Sequence, residues 1–213
     1  MNHSAHTQEL AHSGTAAALV RAALALFTEH GYDGTSVRAI TRRAGANLGA
    51  ITYHFGSKQG LYDAVIAQAS GPFREQLSAA ADGEGSPLDR LQQVVRAFFG
   101  HLYENPDLPR LMMQQLTGSR PIPEVTLRTM QTNIGIIASL IRQGQADGSI
   151  RDGDPRFMAL SIGSQPIWLT VAQRGLREGV GIDQDDPETR ARLVESIVRF
   201  VRAGLAAHPE RAE

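Results

Sequence analysis

Regular patterning begins at residue 15. Over 15–30, "TAAALVRAALALFTEH", Leu19, Ala23, Leu26 and Phe27 recur near the helical period in an alanine- and leucine-rich background. Gly31 suits the position just past a last helical turn. "YDGTS" follows as a turn, and Thr35 or Ser36 supplies a capping hydroxyl for a helix over 36–44, in which Val37, Ile40 and Ala44 face one way. Gly45 ends that helix, and Asn47 is placed to cap a third, short one running through Phe55. Two short helices joined by a tight glycine-containing turn make a helix-turn-helix, whose second helix fits the major groove of DNA.

Beyond Ser57 the pattern lengthens. Leu61, Tyr62, Val65, Ile66, Ala69, Phe73 and Leu77 predict a helix over 57–80, with Gly71-Pro72 expected to kink it. "ADGEGSP" is the clearest linker, and further helices are predicted over 87–104, 106–117, 121–147, 154–178 and 187–206. No period-2 strand and no internal repeat stands out. The chain reads as all-α: an N-terminal three-helix helix-turn-helix domain over 14–66 and a larger C-terminal helical domain over 67–207, between a flexible arm, 1–13, and a flexible tail, 208–213.

Composition narrows the function. The 213 residues carry a net charge of −1 and are 42% hydrophobic, so the chain can bury a core but has no global field for nucleic acid. Between Gly34 and Lys58, however, Arg38, Arg42, Arg43 and Lys58 meet no Asp or Glu, a local charge of +4. The absence of cysteine excludes disulfides, thiolate metal sites and thiol sensing. With no leader-like N-terminus and no apolar run of about 18 residues, no membrane segment is expected and a cytoplasmic location is. His3, His6 and His12 fall at irregular spacing in a polar arm. His101 and Glu104 make one reversed Glu-x-x-His pair without a second, and no phosphate loop or serine elbow occurs. No catalysis, metal or cofactor is expected.

The positive segment has the chemistry a groove-reading helix needs. Gly49 and Ala50 keep it slim, while Tyr53, His54 and Lys58 offer donors or charge to phosphates. "GYDGTSVRAITRRAGANLGAITYHFGSKQGLY", residues 31–62, resembles the DNA-binding region of the TetR/AcrR family of transcriptional regulators. The resemblance rests on Gly31-Tyr32, Thr35-Ser36-Val37, Ile40, Ala44-Gly45, Gly49, Ile51, Tyr53-His54-Phe55, Ser57-Lys58 and Leu61-Tyr62. It implies DNA contact by Thr35, by Ser36 on phosphate and by Arg38 on a base edge. Leu48, Gly49, Ala50 and Tyr53 would then read bases, and Thr52, His54 and Lys58 would grip the backbone. Thr52 stands where the family often has tyrosine. Ala46, Ile51 and Phe55 are expected to pack the three helices together.

The same resemblance implies a C-terminal domain that dimerises and encloses a small hydrophobic effector, and a repressor released from a double-stranded operator when that effector binds. Apolar candidates for the pocket are Phe98, Phe99, Leu102, Met112 and Met113, with His101, Gln114, Gln165 and Trp168 as polar anchors. Leu169, Leu193, Ile197, Phe200 and Val201 are candidates for the homodimer interface, since two reading heads must match two half-sites.

Overall fold

A computed structural model describes residues 14–118 and 121–207 in full and residues 3–13 by their backbone alone. The expected arm and tail fall outside the fully described residues. Among the described residues ten helices follow in order: α1 (His3–Gly34), α2 (Val37–Ala44), α3 (Ala50–Phe55), α4 (Lys58–Ala81), α5 (Pro87–Glu104), α6 (Asp107–Thr117), α7 (Glu124–Ala146), α8 (Pro155–Val171), α9 (Gln173–Val180) and α10 (Pro187–Leu205). Among the described residues the only β pairing is a single bridge, Ile150 to Ala206.

The chain divides into two compact units, the first Met1–Ser70 with Arg110–Thr126, the second Gly71–Pro109 with Leu127–Glu213. The boundary at Ser70 falls inside α4, two residues before Pro72, and α4 runs past that proline as one helix rather than ending there.

In the first unit, α1 packs on both α2 and α3. The apolar stripe read from the sequence forms the interior: Leu19, Ala23 and Phe27 are fully buried with Ile40, Ile51, Leu61 and Ile66. Each of the leucine, isoleucine and phenylalanine side chains contributes roughly 1.5–3 kcal/mol of burial. Phe27, Tyr32 and Tyr62 form an aromatic triad with centroids 5.1–5.5 Å apart. Gly31 interrupts α1 with φ 71°, where the sequence predicts the stop.

The second unit is a bundle in which α5 packs on α8 and α10. Its core runs from Phe73 and Leu77 through Leu91, Val95, Phe99 and Ile141 to Ala159 and Val198. Arg96 holds Glu195 through two bonds of 2.7 and 3.0 Å, and Arg202 donates to Asp89 at 2.6 Å. The Ser86 hydroxyl and then Arg202 hold the Asp89 carboxyl below its ordinary pKa.

Two departures from the sequence reading have local causes. The helix predicted over 154–178 is broken at Ala172, which sits at φ −85°, ψ 4°. The buried Gln184 amide donates to the Leu169 carbonyl at 3.0 Å, taking the acceptor that the Gln173 amide would use in a continuous helix. Asn47 does not cap α3 through its side chain; Gly49 is the cap residue, and the Ala50 amide donates to the Asn47 carbonyl at 3.1 Å.

Candidate nucleic-acid interface

The helix-turn-helix is built from short-range chemistry. Ser36 leaves α1 in extended backbone, and its hydroxyl accepts from the Ala39 amide at 3.1 Å, satisfying one of the free donors of the first turn of α2. Gly45 closes α2 in the left-handed region, φ 64°, and its amide reaches back to the Arg42 carbonyl at 3.3 Å. At the far end of α3, a Cβ on Gly60 would lie 2.1 Å from the Phe55 carbonyl oxygen, so only glycine lets the first turn of α4 approach α3 this closely.

These elements hold Ile40, Ala50 and Ile51 inward and leave a polar face outward. Arg38, Arg42, Leu48, Gly49, Thr52 and Tyr53 are exposed on α2, the turn and α3. Tyr53 is 72% exposed and Leu48 54%, extremes for an aromatic and an aliphatic side chain in a packed unit. The Tyr53 ring meets His54 edge-on, with centroids 4.9 Å apart. Arg38 and Arg42 have no ion-pair partner among the described residues, whereas Arg43 pairs with Glu29 at 3.2 Å. That exposed pair is worth at most about 1 kcal/mol. The face therefore combines two unneutralised guanidinium groups, which bind phosphate or guanine edges bidentately, with phenol, hydroxyl and imidazole groups and a solvent-facing leucine.

Several expected contacts are structural instead. Thr35 is 2% exposed, and its hydroxyl donates, shared, to the Gly31 carbonyl at 2.8 Å and the Leu26 carbonyl at 3.0 Å. It closes the end of α1 and faces no groove. Ala50 is 7% exposed and packs inward, because α3 turns its small residue to the bundle and Tyr53 to solvent. Lys58 is half-buried; its ammonium donates to the Tyr32 carbonyl and lies 4.2 Å from the Tyr32 ring centroid, tying the start of α4 to the end of α1. Arg42, not singled out for contact by its type alone, belongs to the exposed face.

The C-terminal candidates also separate. Phe98, Phe99, His101 and Leu102 are buried on α5 in the second unit. His101 stacks on Phe73 with centroids 4.7 Å apart, and Phe73 meets Phe98 at 4.6 Å. The His101 Nε2 has no hydrogen-bond partner among the described residues, and burial pushes the imidazole pKa down against a weaker upward pull from Glu104. Met112, Met113 and Gln114 belong to the first unit. Gln165 donates to the Ser161 carbonyl of its own helix at 3.1 Å. Trp168 is 59% exposed, unlike the pocket anchor it was expected to be.

Leu169 and Val201, expected at a dimer interface, are buried in the second unit's own core. Leu193 and Ile197 are half-buried, and Phe200 is 67% exposed. The helical period that turns Leu169 inward turns Trp168 outward with Phe157, Leu160 and Ser164. The bridge from Ile150 to Ala206 pairs the segment before α8 with the residue that follows α10.

No helix among the described residues is long and apolar enough to cross a membrane. Residues 19–65 match the family model described as bacterial regulatory proteins, tetR family, and residues 87–201 match the tetracyclin repressor-like C-terminal domain. The chain is 23% identical to the HTH-type transcriptional repressor NicS of Pseudomonas putida over 88% of its own length and 90% of that protein's. Solved structures share the fold, two of them as follows. FadR of Bacillus subtilis, in complex with stearoyl-CoA, superposes with a TM-score of 0.73 at 18% identity, covering 88% of this chain and 97% of FadR. The ketosteroid transcriptional regulator KstR2 of Mycobacterium tuberculosis gives 0.71 at 22% identity, covering 91% and 95%.

Proposed function

Because the chain belongs to the TetR family of bacterial transcriptional regulators, we propose that it acts in the cytoplasm as a homodimeric repressor, which grips a palindromic operator through α2 and α3 and releases it when a hydrophobic small molecule enters the C-terminal unit. The observation that carries this reading is the exposed face of the helix-turn-helix: Arg38 and Arg42, without ion-pair partners among the described residues, on α2 and an outward Tyr53 on α3. Ser36, Arg38, Arg42, Thr52 and His54 contact phosphates or base edges, and Leu48, Gly49 and Tyr53 approach the bases. With so few bidentate groups on α3, DNA shape contributes to selectivity.

Dimerisation uses the outward faces of α8 and α10. Phe157, Leu160 and Trp168 on α8 and Phe200 on α10 are exposed apolar side chains that a second copy would cover, with the half-buried Leu193 and Ile197 also on α10. The effector reading rests on α5. An apolar molecule seated against Phe98 and Leu102 can offer a polar group to the unsatisfied His101 Nε2, and the hydrophobic ligand named in the FadR structure supports that class. Control follows from differential affinity: the effector favours a state in which the two heads are wrongly spaced.

Selection of duplexes from a random pool by the purified protein tests the reading. The expected product is a palindrome with half-sites about one helical turn apart. A pool that remains random after repeated rounds would overturn it.

A further inference from the structure

The cations that make segment 34–58 positive are not equally available to DNA. Arg38 and Arg42 have no ion-pair partner among the described residues, whereas Arg43 is paired with Glu29. Glu29 comes from outside the segment, on α1 two residues before the interruption at Gly31, and it meets Arg43 because α1 packs on α2. The Arg43 Nη1 donates to both carboxylate oxygens, at 3.2 and 3.3 Å. The His30 Nε2 lies 3.6 Å from one of the same oxygens.

This grip is weak. It uses one guanidinium nitrogen rather than the two-nitrogen fork that binds Arg96 to Glu195. Both side chains are about half exposed, 46% for Arg43 and 49% for Glu29, so water and salt screen the pair. A phosphate can take the guanidinium from it. The carboxylate left behind then stands unpaired near that phosphate, and like-charge repulsion opposes the exchange.

Arg43 directly follows Arg42 in the last turn of α2, their Cα atoms about 3.8 Å apart. A charge there is felt over roughly 10 Å at 0.1 M salt, so Glu29 cancels one of the three guanidinium charges that α2 offers to a duplex. The whole chain carries −1 and exerts no global pull on DNA, which leaves non-specific attraction to this local surface. We propose that Glu29 is a specificity determinant: by holding Arg43 it weakens binding to DNA of arbitrary sequence and leaves selection to the groups that meet bases. The inference rests on the reading of α2 and α3 as the DNA-binding face. A complex on arbitrary sequence is held by charge alone and can turn to bring any free cation to a phosphate, while base contacts fix the register on an operator. Glu29 therefore penalises the wrong complex more than the right one.

The test measures anisotropy of full-length parent and Glu29→Gln proteins on the selected operator and on a scrambled duplex, across a series of salt concentrations. Releasing Arg43 in both copies of a dimer should steepen the log–log slope on scrambled DNA by about 2 and raise affinity there roughly 5- to 50-fold at 0.1 M salt. The operator should gain less, so the preference for it falls. Adding Arg43→Gln to Glu29→Gln removes the freed cation and should return the slope to the parent value. An unchanged slope in Glu29→Gln, an operator gain equal to or above that on scrambled DNA, or a steep slope that persists in the double variant would each overturn the proposal. A parent protein that selects no operator fails the reading of α2 and α3; a parent that selects one, with Glu29→Gln behaving identically, fails this inference alone.

Discussion

Gly60→Ala sets two opposing effects against each other. In a helix this substitution ordinarily gains up to about 1 kcal/mol by removing backbone freedom from the unfolded chain. Here the added Cβ would stand 2.1 Å from the Phe55 oxygen and 3.2 Å from its carbonyl carbon, the first more than an ångström inside ordinary contact. The obstacle is backbone, which cannot swing aside as a side chain does, so an overpacking cost of about 1–3 kcal/mol applies. The balance is a net loss of up to about 2 kcal/mol, or up to roughly 8 °C in melting temperature for a chain of this size. Gly135→Ala is the matched control: it sits in α7 with nothing within 4 Å of the added carbon, and it should gain stability. Differential scanning calorimetry of both variants compares the signs. Because Phe55 ends α3, Gly60→Ala should also weaken DNA binding, while Gly135→Ala should not. If both variants are stabilised alike, the close approach of α4 to α3 is not a constraint and the reasoning fails.

Thr35→Val removes the hydroxyl that closes α1 onto two carbonyls and should cost about 1–2 kcal/mol in urea denaturation, with Thr35→Ser recovering most of it; a neutral Thr35→Val would return Thr35 to the DNA contacts. Phe200→Ala should weaken self-association by about 2–4 kcal/mol counted over both copies, read by sedimentation equilibrium, and unchanged association would place the interface elsewhere. Burial keeps His101 neutral in the folded chain while the unfolded chain takes up a proton below about pH 6.5. Stability should therefore carry no His101 contribution above that pH and fall as the pH drops from it toward the folded pKa. His101→Gln should be less acid-sensitive between pH 7.5 and 5.5 in urea midpoints, roughly spanning the unfolded-chain pKa, and an equal slope in both proteins would contradict the assignment.

Helices and their ends were the most legible part, because capping and periodicity act over a few residues. Ser36, Gly45 and the prolines at 87, 155 and 187 stand where their backbone chemistry demands. The exposed face of the helix-turn-helix was legible for the same reason: on a helix this short, one inward residue, Ile51, fixes the direction of Tyr53. Thr35 and Lys58 were misplaced because their partners, the Leu26 and Tyr32 carbonyls, lie 9 and 26 residues away, and no local pattern reports such a bond. The break at Ala172 depends likewise on Gln184 arriving from a later loop. On α8 the sequence suggests Leu169 for a partner interface, whereas it faces the core and Trp168 faces solvent; a helix with apolar residues on several sides does not tell core from partner.

Fluorescence anisotropy on the selected operator, run across a series of salt concentrations, tests the reading face most directly. The parent protein should bind as two copies per duplex with a steep loss of affinity as salt rises. Arg38→Ala combined with Arg42→Ala should flatten the log–log slope by about 2 to 4, one unit for each phosphate that the dimer no longer neutralises. Tyr53→Ala should lower the preference for operator over scrambled duplex while changing that slope little. An unchanged slope in the double arginine variant, together with unchanged preference in Tyr53→Ala, would contradict the assignment of α2 and α3 as the surface that meets DNA.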